Sequence, residues 1–152
     1  MRAEALSGLD REAEAVAAYH RLREAHPNEH NAYEKLGLLL ALDGKSDEAL
    51  ALAERAVELG PFCPFSWATR GYAHFVRGDR APALADLQTA WGRADTERRR
   101  QANEYWWLLA ALQGQPDLAE DRKRKAMEEA TNSTGRRQVG HIEALLAGVA
   151  IE

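Results

Sequence analysis

The chain has 152 residues, 45% of them hydrophobic and 29% charged, enough to bury one continuous core without disulfides or a structural metal and far from the composition of disordered chains. Its 20 Lys and Arg against 24 Asp and Glu leave a net charge of -4, which argues against nucleic acid or anionic lipid as a general partner. A single cysteine rules out an internal disulfide and fits a reducing compartment.

The opening MRAEALSGLD lacks the apolar centre of a secretory signal, and the strongest apolar run, residues 36–42, is too short to cross a bilayer. A cytoplasmic protein without a membrane span is the expectation. The first periodic segment, EAVAAYHRLREAHP, places Ala15, Tyr19 and Leu22 on one helix face and stops at Pro27. It reads as the second helix of a partial unit, 1–27.

Residues 28–61 contain two helical faces, Tyr33, Leu36, Gly37 and Leu40, then Ala49, Leu52, Ala53 and Ala56. Gly44 suits the left-handed end of the first, and Ser46 can cap the second. The stretch GPFCPFSW, 60–67, is a turn: Gly60 and Pro61 stop one helix, Pro64 starts the next, and Trp67 is its first large core residue. Cys63 reads as a small half-buried residue of that turn, because no cysteine or histidine signature surrounds it and His74 is the nearest histidine in sequence.

Residues 62–94 repeat the pattern with Trp67, Gly71, Gly78, Ala83 and Ala90, and Asp79 stands ready to cap. In 95–131, Gly114 marks the turn, and PDLAEDRKRKAMEEA keeps Leu118, Ala119, Ala126, Met127 and Ala130 on one face. Pro64, Pro82 and Pro116 all fall in first turns, where a missing backbone donor costs little. Val139, Ile142, Leu145, Leu146 and Val149 predict a capping helix over about 136–150. No segment alternates as a strand would.

Sliding the chain by 34 residues superposes Tyr33 on Trp67, Gly37 on Gly71, Gly44 on Gly78, Ala49 on Ala83 and Ala56 on Ala90, and takes Pro27 to Pro61. A fixed period of this length signals stacked helical hairpins. The residues resemble the tetratricopeptide repeat: an aromatic, Leu-Gly, a turn glycine, spaced alanines and a closing proline. The resemblance implies an all-α, right-handed superhelical solenoid of about three and a half repeats plus the cap. Two departures stand out. The first hairpin is largely missing, and Trp107 occupies a position where the repeat wants a small residue, so the last hairpin should pack irregularly.

The resemblance further implies a concave groove lined by the first helices: Asn31, Glu34, Leu38 and Leu42, then Phe65, Ala68, Tyr72 and Phe75, then Gln101, Glu104, Leu108 and Leu112. This surface is largely apolar and suits an extended peptide or an amphipathic helix. Equally, these residues can belong to packing between hairpins, or the C-terminal helix can fold into the groove. The family's best-known clamp, Lys, Asn and Arg holding the terminal carboxylates of heat-shock chaperones, is not matched, since its positions hold residues such as Lys35, Phe65 and Thr69.

Other constellations are thin. His26 and His30 share an i, i+4 spacing, but Pro27 and Asn28 break the helix between them, leaving a surface role and no metal site. No catalytic or cofactor-binding motif occurs. The basic runs 98–100 and 122–125 read as solvated faces with acidic neighbours. Trp106 and Trp107 are adjacent on a helix, so at least one is expected to face outward or into the groove. The functional expectation is a non-catalytic scaffold that binds a protein or peptide partner, without a cofactor. Alternatives are a small secretion chaperone of the tetratricopeptide type that holds apolar cargo, or a module that homodimerises through Tyr19 and Leu22 of the truncated first repeat.

Overall fold

A computed structural model describes residues 8–148, with side chains from Arg11 onward except that of Ser133. The described residues are helical throughout, with no strand: α1 (Gly8–Ala25), α2 (His30–Leu42), α3 (Ser46–Leu59), α4 (Pro64–Arg77), α5 (Arg80–Arg93), the single turn α6 (Thr96–Arg99), α7 (Asn103–Leu112), α8 (Pro116–Glu129) and α9 (Ser133–Leu146). The most extensive packing joins consecutive helices, α2 with α3, α4 with α5 and α7 with α8. None of these helices is long and apolar enough to cross a membrane.

The turns carry the expected backbone chemistry. Gly44 and Gly78 take φ of 79° and 97°, and Gly114 repeats this after α7 with φ 72°. The caps differ from expectation. Ser46 is the first helical residue rather than a cap, and Asp79 holds the cap position of α5 without a side-chain cap bond. The Asp79 carboxylate lies instead 3.1 Å from Arg77 Nε, a charged partner that outcompetes a backbone donor. The proline placements hold: Pro64 and Pro116 open α4 and α8.

One side-chain to backbone bond recurs at the 34-residue step. Tyr33 Oη donates to the Pro27 carbonyl and Trp67 Nε1 donates to the Pro61 carbonyl, each at 2.9 Å. Each aromatic thus staples the first helix of a hairpin to the turn before it. Trp67 is less a core residue than the sequence suggests: it is half-buried, with the Arg70 and Arg93 guanidiniums 4.9 and 5.2 Å from its ring centre. The small residues perform their expected task. A Cβ on Gly71 would lie 3.1 Å from the Ala83 carbonyl oxygen, and Ala49, Ala53, Ala56, Ala83 and Ala90 are fully buried.

The last hairpin follows different rules. Its first helix is short because the chain breaks into α6 and then turns at Ala102, whose φ of 53° is the one left-handed non-glycine among the described residues. Trp106 fixes that turn by donating from Nε1 to the Gln101 carbonyl at 2.7 Å. Trp106 and Trp107 are both buried, so neither takes the outward-facing alternative. Trp107 fits because the buried residues of α8 are only Ala119 and Ala126, and the Lys123 ammonium covers its ring at 5.8 Å.

The C-terminal helix starts earlier than predicted. Asn132 caps it through Oδ1, which accepts from Gly135 N at 2.7 Å, and α9 ends at Leu146. Val149 lies outside the described residues. From the last hairpin α9 reaches back to α1 and α2. Arg137 bonds Glu12 of α1, the Leu42 carbonyl and Asp43, while Val139 and Ile142 enter the core.

Candidate functional site

The groove residues divide into two groups. Tyr72 and Leu108 are completely buried, and Leu42 and Phe75 nearly so. Leu112 is half-buried against the same core. The α9 helix occupies this end of the wall: the Tyr72 hydroxyl shares a hydrogen bond with His141 Nδ1, and the two rings meet edge to face at 5.7 Å. The expected open inner wall is therefore partly filled by the chain's own C-terminal helix, which Val139 and Ile142 anchor by burial.

Toward the N-terminal ends of α2 and α4, and beside the start of α7, the wall stays open. A cavity of about 240 Å³ is lined by Glu34, Lys35 and Leu38 of α2, Phe65 and Thr69 of α4, and Gln101, Ala102, Glu104 and Tyr105 around the start of α7. Gln138 of α9 closes its far side. Phe65 and Gln101 also border a second cavity of about 520 Å³, shared with His30, Asn31, Phe62, Cys63, Asp95, Glu97 and Arg98. Of the twelve residues proposed for the groove, Asn31, Glu34, Leu38, Phe65, Gln101 and Glu104 thus face these two cavities. This open part is more polar than expected: Leu38 and Phe65 are the apolar residues of the set that line it, while Leu42, Ala68, Tyr72, Phe75 and Leu108 are buried.

The electrostatics of the open part come from two carboxylates, Glu34 buried and Glu104 half-buried. Burial pushes the Glu34 and Glu104 carboxyls above their ordinary value, Lys35 opposing the shift at both and the Glu129 carboxylate adding to it at Glu104. The floor is held by Tyr105, whose hydroxyl lies 3.4 Å from Thr69 Oγ1 and whose own pKa burial raises.

Beside the larger cavity, which His30 and Cys63 line, three residues from two segments meet. His30 opens α2, Glu34 follows one turn later, and Cys63 stands at the N-cap of α4. One ligand atom from each lies within 4.8 Å of the other two. His30 is therefore not the surface residue its spacing from His26 suggests; His26 lies beyond α1, exposed and 3.9 Å from Glu29. Sequence reading missed this triad because Glu34 and Cys63 are 29 residues apart. The Tyr33 and Trp67 register was the available clue, since it sets α2 beside α4.

The basic runs are absorbed internally. Arg99 donates to the Trp91 carbonyl at 3.1 and 2.9 Å, and the Arg99 and Arg122 guanidiniums lie 4.3 and 4.8 Å from the Trp91 ring centre. Arg98 pairs with Asp95, Lys123 with Glu143, and Lys125 with Asp121. On α1, Tyr19 is half-buried against the core and Leu22 is 41% exposed. No protein-family model matches the chain, and no curated protein matches it closely enough to count as a relative.

Proposed function

We propose that the chain is a tetratricopeptide-type solenoid that acts as a non-catalytic scaffold, taking an extended peptide segment of a protein partner. The reading rests on the sequence period, the recurring aromatic staple and the hairpin packing of consecutive helices. The observation that carries it is the opening between α2, α4 and the start of α7, which α9 leaves free. There Phe65 and Leu38 are half-buried beside the Glu34 and Glu104 carboxylates. A cavity of this size takes one or two side chains of a strand-like segment rather than a whole helix face. The complementary segment carries an apolar residue next to a lysine or arginine: the first fills the space at Phe65, the second faces Glu104.

Selection from a random peptide library displayed on phage, using the full chain as bait, tests this. Enriched peptides should combine an apolar and a basic residue, and their binding should weaken with added salt. Phe65→Ala and Glu104→Gln should each lower affinity at least about tenfold, with helical content by circular dichroism unchanged. Retained affinity in both variants would place the binding face elsewhere.

A further inference from the structure

The arrangement of His30, Glu34 and Cys63 is unusual for a structural cluster. The Glu34 side chain is only 8% exposed, yet its nearest charged or polar side-chain partners all stand off at the same range. His30 Nδ1 is 3.8 Å from Oε1, Cys63 Sγ is 3.8 Å from the same oxygen, and Lys35 Nζ is 3.8 Å from Oε2. A buried carboxylate is ordinarily held by short, strong hydrogen bonds. His30 Nδ1 is itself buried and has no hydrogen-bond partner. The buried Glu34 carboxylate is thus held only by a long sulfur hydrogen bond from Cys63 and by ion pairs at 3.8 Å, and the buried His30 Nδ1 has no hydrogen-bond partner, a costly arrangement for a purely structural cluster.

The spacing matches a different bonding pattern. Ligands bound tetrahedrally to zinc at about 2.0 Å for nitrogen or oxygen and about 2.3 Å for sulfur stand roughly 3.3 Å (nitrogen to oxygen) to 3.5 Å (either to sulfur) from one another. Glu34 Oε1 lies 3.8 Å from both His30 Nδ1 and Cys63 Sγ, and one ligand atom from each residue lies within 4.8 Å of the other two, so side-chain adjustments of under about 1.5 Å bring the set to that separation. Imidazole nitrogen, carboxylate oxygen and thiolate sulfur form a mixed donor set of the borderline kind that selects zinc over magnesium or calcium. We propose that His30, Glu34 and Cys63 bind one divalent transition-metal ion, zinc by donor preference, with the fourth position open to the adjoining cavity.

The surroundings hold the ligands in place. His30 and Glu34 are one turn apart on α2, so both project from the same face. A Cβ on Gly60 would fall 2.6 Å from the His30 ring, so the glycine there makes room for the imidazole between α2 and the turn. Phe62 covers the ring edge to face at 5.4 Å. Cys63 gives up its thiol proton to solvent on binding, and the two anionic ligands then balance the ion's double charge. With three protein ligands, the fourth position is that of a water or of a donor atom from a bound partner. The site shares Glu34 with the opening proposed for the peptide, but the two readings are tested at different residues, the peptide at Phe65 and Glu104 and the metal at Cys63.

Titration of the reduced, metal-stripped full chain with zinc should give one ion per chain and raise the thermal midpoint. The cobalt derivative should show a thiolate-to-metal charge-transfer absorption and the intense visible bands of a tetrahedral centre. Cys63→Ser should abolish the charge-transfer band and weaken zinc uptake at least about 100-fold, and Glu34→Gln about 10-fold or more. Absence of the charge-transfer band in the unmodified chain would overturn the proposal whatever the variants do. So would stoichiometric zinc uptake that both variants retain, which would move the ion to other histidines or carboxylates.

Discussion

The Tyr72 hydroxyl on α4 and His141 Nδ1 on α9 share a hydrogen bond inside the protein, 69 residues apart in sequence. The bond fastens the C-terminal helix over the wall that the hairpins build. Around it, Tyr105 meets the Tyr72 ring edge to face at 6.2 Å. Replacing Tyr72 with Phe keeps the ring and deletes the one hydroxyl that reaches His141, whose Nε2 is already buried without a partner. A buried polar atom stripped of its partner costs about 1–3 kcal/mol. Urea unfolding of Tyr72→Phe should show a lower midpoint at unchanged slope, and an unchanged midpoint would mean that the bond contributes nothing to α9 docking.

Protonation of His141 should loosen the same contact. Burial lowers its pKa below the ordinary 6.5, and the Arg137 guanidinium one turn earlier acts in the same direction. The groups that face the imidazole are the Tyr72 phenol from α4 and Arg137, itself paired with Glu12 of α1 and Asp43. A histidine whose folded pKa is depressed binds fewer protons in the native state, so its contribution is complete above 6.5 and is lost as pH falls through the folded value. The raised carboxyls of Glu34 and Glu104 have the opposite sign, since they favour the folded state as pH falls. The comparison is therefore the stability of the unmodified chain minus that of His141→Gln, measured from about pH 7.5 to 5. That difference should shrink steadily below about pH 6.5, and a difference flat across this range would show that His141 is not buried in its neutral form.

The register of the hairpins was legible from residue type alone. Tyr33 and Trp67, Gly44 and Gly78, and the buried alanines of α3 and α5 stand where their chemistry requires, because close helix approach admits only small side chains. The destination of α9 was not. An amphipathic helix can cover any apolar face, and nothing local in Val139 or Ile142 says which. The choice is made by tertiary contacts, Arg137 to Glu12 and His141 to Tyr72, whose partners lie far away in sequence. For the same reason the sequence places Leu38 and Phe65 in the groove together with Tyr72 and Leu108, although only the latter two are completely buried. The break at Ala102 was hidden too, since alanine carries no signal for a left-handed turn.

The glycines on the inner faces separate close packing from mere tolerance. At Gly71 an added methyl would stand 3.1 Å from the Ala83 carbonyl oxygen, 3.1 Å from Leu87 Cγ and 3.2 Å from Asp86 Cβ. None of these can retreat cheaply: the carbonyl belongs to α5, Leu87 is fully buried, and Asp86 is held by Arg70 through two hydrogen bonds of 2.7 and 2.8 Å. Gly37 is looser, its closest neighbour being the Thr69 methyl at 3.2 Å, and Gly92 on α5 has nothing within 4 Å. Alanine gains about 0.5–1 kcal/mol over glycine inside a helix, whereas overpacking costs about 1–3 kcal/mol. Gly92→Ala should therefore stabilise, Gly37→Ala should change little, and Gly71→Ala should destabilise by about 1–2 kcal/mol, a ranking that thermal or urea unfolding reads directly. If Gly71→Ala stabilised as much as Gly92→Ala, α4 and α5 would not be in the close contact on which the hairpin rests.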